Sequence, residues 1–317
     1  MTAQQAADLL RAQDDILILT HRHPDGDTLG SAYALCLGLQ AIGKRARVAV
    51  VGDLPQKYDY MAQQVPLQDF EPHTVCSVDV ADRALLGEEN AALYGDRVLL
   101  SIDHHGTSRL FAGHTFCVGC AATVMLVRQV LHQLGVSLTA AMADCLYTGL
   151  ATDTGCFRYA NTDKPAFLLA AELVEAGADT EKINRLMFET KSRATLQLEQ
   201  LALQTLQYYF DGRVAVMTIT RDMMQQCGAD DAALDGLSAI PRQIEGVWAG
   251  ITMRQTPQDA FKISLRSNAQ VDSAAVCAAL GGGGHARAAG CTVQGSSEQA
   301  CQAVLQALAR QYPEMAL

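Results

Sequence analysis

Apolar runs and amphipathic stretches alternate through the first half of the chain. The runs "ILILT" (residues 16–20), "RARVAVVG" (45–52), "TVCSVDV" (74–80) and "RVLLSID" (97–103) are rich in Ile, Leu and Val along most of their length. A run that is apolar at successive positions predicts a strand covered on both faces, as in a parallel sheet. The segments between, such as "LGSAYALCLGLQAIG", read as helices that close on Gly. The first half is therefore expected to be α/β, built on a parallel sheet.

From Glu189 the pattern changes. The stretch "ETKSRATLQLEQLALQTLQYYFDG" puts Leu196, Leu203 and Leu206 among its apolar positions and holds no Pro or Gly before Gly212. It predicts a helical connector. Beyond it "RVAVMTIT", "GVWAGITMRQ" and "AFKISLRS" read as strands, followed by the glycine tract "LGGGGHARAAG". Strands and helices without strict alternation predict a smaller α+β domain. The expected division is 1–188, a connector over 189–211, and 212–317, and a chain of 317 residues is long enough for two cores.

Charge narrows the partners. Against 24 Lys+Arg stand 34 Asp+Glu, a formal net charge of −10, so the surface field repels long polyanions and a nucleic-acid duplex is excluded as a partner. A short phosphorylated ligand in a locally positive pocket is not. The cysteines are spread singly except for Cys117 and Cys120 in "FCVGC". One CxxC is half a zinc site, and the set reads as reduced thiols of a cytosolic protein. The start "MTAQQAADLLRAQDD" has no basic n-region or apolar h-region, and no apolar run reaches membrane-spanning length, so a soluble, cytoplasmic protein without a membrane partner is expected.

Against this frame the acidic and imidazole residues fall in telling places. His21, Asp25 and Asp27 follow the first predicted strand, Asp79 ends the third, and Asp103, His104 and His105 end the fourth; Asp153 in "GLATDTGCFRY" follows a later helix-like stretch. Open parallel sheets bind ligands at the carboxyl ends of their strands. Taken singly, Asp27 is as well read as a helix N-cap and "PDGD" as a turn. Taken together, these segments supply what two neighbouring divalent cations need, a shared carboxylate with further oxygen and imidazole ligands. That donor mix suits Mn(II), ahead of Fe(II), Co(II) or Mg(II). The glycine tract has two readings, a phosphate cradle or a flexible loop. His285 and Arg287 beside it, and Arg266 in "SLRS", favour an anionic ligand with Arg266 making a forked contact to phosphate.

These motifs resemble the DHH phosphoesterase superfamily, and more closely its NrnA-type subgroup of oligoribonucleases (nanoRNases) that also act as pAp phosphatases. "HRHPDGDTLGS", "VDVAD", "IDHHGTS" and "TDTGCFRYANT" match its four N-terminal motifs, and "KISLRSN" with "GGGGHARAAG" its C-terminal domain. The resemblance implies a catalytic domain over 1–188, a substrate-binding domain over 212–317 and an active site in the cleft between them. It implies His21, Asp25 and Asp79 as ligands of one metal, and Asp27, Asp79, His104 and Asp153 as ligands of the other, with Asp79 the bridge. His105 would face the substrate phosphate, and Asp103 would orient His104 or a bound water. Arg158, Arg266, Ser267, Gly282, Gly283, Gly284, His285 and Arg287 would hold the rest of the nucleotide. His23 reads as a loop or outer residue. One departure is Met125, where relatives carry an acid.

The activity so implied is hydrolysis of very short RNA to mononucleotides and of pAp to AMP, with a homodimer as the implied assembly. The alternatives are a phosphodiesterase for linear or cyclic dinucleotides such as pApA or c-di-AMP, and a non-catalytic nucleotide sensor, which loss of metal ligands would mark.

Overall fold

The computed structural model describes residues 1–106, 108–234 and 236–315, and its contacts divide into two units, Met1–Thr190 and Lys191–Leu317. In the first, β1 (Ile16–Leu19), β2 (Ala46–Ala49), β3 (Thr74–Val78), β4 (Val98–Asp103) and β5 (His114–Cys117) form a parallel sheet in the order β2-β1-β3-β4-β5. The four expected strands are present. The edge strand β5 was not expected, because "HTFC" buries only Phe116 and so carries no apolar run.

Alternate residues of the central strands feed two cores. Ile16, Ile18, Cys76, Val78, Leu100 and Ile102 join the larger; Leu17, Leu19, Val75 and Val98 join the smaller on the other face. Helices α1 (Ala3–Arg11), α2 (Gly26–Ala41), α5 (Thr123–Gln133), α6 (Ala140–Asp153), α7 (Lys164–Glu175) and α8 (Thr180–Asn184) contribute to the larger core, with the one-turn α3 (Asp59–Ala62); α4 (Glu88–Tyr94) packs on the smaller. The closest helix contact, α2 on α6, depends on glycine. A Cβ at Gly30 would stand 2.3 Å from the Cys145 carbonyl oxygen, and one at Gly149 would stand 2.9 Å from Asp27 Oδ1. Only hydrogen fits there, and the resulting approach brings the start of α2 beside the end of α6.

In the second unit, β6 (Gln207–Tyr209), β7 (Val214–Ile219), β8 (Ala249–Gln255), β9 (Ala260–Ser267), β10 (Gly283–His285) and β11 (Ala288–Gln294) form a mixed sheet in the order β10-β11-β9-β8-β7-β6. Only the β7–β8 pair is parallel. Helices α11 (Ser273–Ala278) and α12 (Ser297–Gln311) cover one face, while α9 (Arg193–Leu203) and α10 (Arg221–Cys227) lie with Met217 and Ile219 on the other.

The stretch expected as a continuous helical connector is thus composite. Helix α9 starts at its Ser192 cap, packs Leu198 and Ala202 into the second unit's core and ends at Gln204. There the Thr205 hydroxyl donates to Ala202 O and accepts the Thr218 amide, so the aromatic pair that follows joins the sheet as β6 without a Gly or Pro to mark the turn. The glycine tract likewise is neither a free loop nor a helix start. Gly283–His285 pairs antiparallel with Ala288–Gly290, and Gly284, at φ +144°, has no room for a Cβ against Ala288 O and Ala289. No helix among the described residues is long and apolar enough to cross a membrane.

Candidate metal centre

The turns after β1 and β3 present their residues through distinct backbone devices. After β1, Asp25 caps α2 by accepting the amides of Asp27 and Thr28, which fixes Asp27 in the first helical turn with its side chain fully buried. Thr28 donates its hydroxyl to Val78 O, tying α2 to the end of β3. The next residue, Asp79, has φ +58° and donates its N–H to Ile102 O. A left-handed Asp is tolerated at a cost of roughly 1 kcal/mol. Strand β4 ends at Asp103 with His104 and His105 following, and α6 ends at Asp153.

These residues converge. His21 Nε2 lies 3.5 Å from Asp25 Oδ1 and 3.6 Å from Asp79 Oδ2. On the other side of the same carboxylate, His104 Nε2 lies 3.7 Å from Asp79 Oδ1, 3.4 Å from Asp153 Oδ2 and 4.0 Å from Asp27 Oδ2. His105 Nδ1 is 3.6 Å from Asp79 Oδ1. Three sets of donor atoms, His21/Asp25/Asp79, Asp27/His104/Asp153 and Asp79/His104/His105, each lie within 4.8 Å of one another. Asp79 therefore turns one oxygen to each half of the cluster.

Electrostatics agrees with a cation-binding donor set. Burial, reinforced by Asp27, Asp25 and Asp153, pushes Asp79 well above the ordinary carboxylate range. Burial also raises Asp27 to about 6, against the pull of His104 and of the Thr123 and Val124 amides. Asp153 is raised to about 9 by burial and by Asp27 and Asp25. Carboxylates crowded together out of water resist ionising until positive charge joins them, and a divalent cation supplies that charge. The residues fit divalent metal.

The residues around the cluster show relations that the sequence did not. Asp103 was expected to orient His104 or a bound water; it bonds His105, with Oδ1 2.7 Å from Nδ1 and 3.3 Å from the backbone N. The rings of His104 and His105 lie with centroids 4.4 Å apart and both face Asp79 Oδ1, and it is the His105 ring that Asp103 holds. Burial would raise Asp103, yet its bonds to His105 and Ser108 bring it below its ordinary value, and the Asp103 bond raises His105. The ring of His104 is held by Cys120 O, 3.0 Å from Nδ1, which leaves Nε2 toward the carboxylates. The following residues continue the pattern. Helix α5 has Ala122 at its N-cap, which cannot cap; Asp27 caps it from α2, taking the Thr123 amide at 2.6 Å and the Val124 amide at 3.0 Å. The Thr123 hydroxyl donates to Asp79 Oδ1 at 2.9 Å, and Asn161 Nδ2 links Ala121 O to Asp153 O. Neither Thr123 nor Asn161 was expected. The one signal for Thr123 was a helix start with Ala where a capping side chain belongs.

His23 is exposed on the loop before α2, and Met125 is packed in the larger core, so that position is apolar here rather than part of the cluster. Arg158 is exposed and donates Nε to Gly155 O, after a left-handed run at Gly155, Cys156 and Phe157. In the second unit, His285, Ala288 and Arg266 are register partners across β10, β11 and β9, which puts His285 and Arg266 on one face of the sheet. Gly282 donates to Cys277 O, and Gly283 and Gly284 run beside them in β10. Ser267 is buried, with its hydroxyl donated to Val271 O and accepting from Ser273, which ties down the turn after β9. The Arg287 guanidinium braces the same turn through Asn268 O and Val271 O.

Comparison with known proteins bears on these assignments. Residues 15–150 match the DHH family, N-terminal domain, and residues 211–312 match the DHHA1 domain. The chain is 33% identical over 312 residues to the bifunctional oligoribonuclease and PAP phosphatase NrnA of Thermus thermophilus, covering 95% of this chain and 92% of that protein. It is 24% identical to the probable bifunctional oligoribonuclease and PAP phosphatase NrnA of Streptococcus mutans, over 89% of this chain and 90% of that one. Among solved structures, an exopolyphosphatase-related protein from Bacteroides fragilis superposes with a TM-score of 0.89 at 26% identity, covering 99% of this chain and 97% of the other. With its parallel sheet, its cluster of Asp and His side chains and this extent of similarity, the chain belongs to the DHH family of phosphoesterases and carries a DHHA1 domain as its second part.

Proposed function

We propose that this protein hydrolyses very short oligoribonucleotides to mononucleotides and dephosphorylates pAp to AMP. His21, Asp25 and Asp79 hold one divalent cation, and Asp27, Asp79, His104 and Asp153 a second, with Mn(II) the best match to a carboxylate and imidazole donor set. The observation that carries the reading is the Asp79 carboxylate, with Oδ2 toward His21 and Oδ1 toward His104. The oligoribonuclease and PAP phosphatase activities of the NrnA relatives support the substrate class.

Cations in such a centre supply positive charge to phosphoryl oxygens and an acidified water. The chain's own groups do the rest. The bond to Asp103 keeps a proton on His105 Nδ1, and the raised pKa favours a second on Nε2, an acid for charge building on the phosphate or leaving oxygen. Arg266 and His285, on one sheet face with the glycine strand beside them, bind the nucleotide's remaining phosphate or base, and Arg158 contacts substrate from the segment after Asp153. Short substrates rather than duplexes suit a surface of net charge −10. We place the activity in the cytoplasm.

The test is product analysis. Metal-stripped protein resupplied with Mn(II) should release mononucleotides from a linear diribonucleotide and AMP from pAp. Turnover of cyclic di-AMP or pyrophosphate alone would overturn the substrate assignment, and no turnover with any divalent metal would overturn the enzyme reading.

A further inference from the structure

We propose that Thr123 is a positioning residue for this centre, whose hydroxyl fixes the rotation of the Asp79 carboxylate so that one oxygen faces each half of the ligand set. The inference rests on the two-cation reading and deepens it. Asp79 has its backbone set by a left-handed φ and by the bond from its N–H to Ile102 O. What remains free is the side chain, and the last torsion of an Asp is broad and roughly two-fold. A carboxylate meant to serve two sides needs that torsion held.

The Thr123 hydroxyl has one hydrogen and donates it to Asp79 Oδ1, the oxygen that faces His104. Oδ2 is then directed to His21. Thr123 is itself immobile: it is wholly buried in the first turn of α5, and its β-branch restricts χ1. Its amide holds Asp27 Oδ2 at 2.6 Å. One residue thus sets the spacing between two proposed ligands that come from different elements, Asp27 through the main chain and Asp79 through the side chain.

The two contacts can be separated, because a side-chain change leaves the amide in place. Thr123→Val keeps the shape and loses the hydroxyl; Thr123→Ser keeps the hydroxyl and loses the methyl. Calorimetric titration of the metal-stripped full chain with Mn(II), beside the melting temperature of the metal-free protein, reads the contrast. The Val variant should bind Mn(II) on the order of tenfold more weakly at an unchanged metal-free melting temperature, as expected for loss of an outer partner of a ligand. The Ser variant should stay near wild type. Should Val not fold, Thr123→Ala against Thr123→Ser gives the same comparison. Wild-type affinity in the folded Val or Ala variant, or a Ser variant as weak as Val, would overturn the inference and leave the two-cation reading standing. A wild-type protein that takes up no divalent cation would overturn that reading, and the inference with it.

Discussion

Asp79 concentrates the chemistry of the first unit in one side chain. Its two oxygens face different imidazoles, and burial and the neighbouring carboxylates raise its pKa well above the ordinary carboxylate range. Asp79→Ala should therefore lose turnover by 10³-fold or more, roughly what the loss of an electrostatic clamp on a phosphoryl group costs, and should lower Mn(II) affinity in both halves of the cluster. Activity near wild type would contradict the shared-ligand assignment. Arg266→Ala should act differently, raising KM for pAp while kcat changes little, since its contact is to a part of the substrate that does not react. An equal loss in kcat would place Arg266 at the reacting phosphate instead. At this scale the Asp and His side chains that converge in the cluster were legible in the sequence, because each follows a recognisable strand or helix end. Their outer partners were not: a backbone carbonyl such as Cys120 O has no residue signature, and Thr123 reads as an ordinary helix start.

Helices α2 and α6 carry Asp27 and Asp153 to the same place, and the glycines between them set how close they come. At Gly30 the atom a Cβ would meet is the backbone oxygen of Cys145, which cannot swing aside. Gly30→Ala should destabilise the fold by about 1–3 kcal/mol through overpacking, seen as a lower urea midpoint with an unchanged slope, and should weaken Mn(II) binding by separating the two helices. A variant as stable as wild type would mean that α2 shifts without strain. Element type was legible where burial is two-sided, as in β1 and β3, and less so where a strand sits at an edge. Strand β5 buries one side chain, and the glycine tract became strand β10 through its partner β11 rather than through any propensity of glycine.

For the first unit as a whole, the buried carboxylates make stability depend on pH and metal together. In the unfolded chain Asp27 and Asp153 titrate at the ordinary 3.8; in the folded protein they titrate at about 6 and about 9. Between those values the unfolded state binds fewer protons than the folded one, so these groups make the metal-free protein less stable as pH rises from about 4 toward about 9. Metal competes with the retained protons, so the rise in melting temperature on adding Mn(II) should be larger at pH 8 than at pH 5.5. An equal rise at both pH values would mean that these carboxylates are not displaced from their protons by the cation. The amino-acid sequence by itself determined the parallel sheet of the first half, the presence of a second domain and the inventory of metal-type side chains, because strand burial and strand-end chemistry are written in local pattern. Only the tertiary structure decided that Asp103 serves His105, that Ser267 and Arg287 brace a turn, that α9 belongs to the second unit, and that Asp27 caps a helix distant in sequence. Those outcomes depend on which groups meet across elements, and a hydrogen bond between distant residues leaves no period or composition in the chain to read.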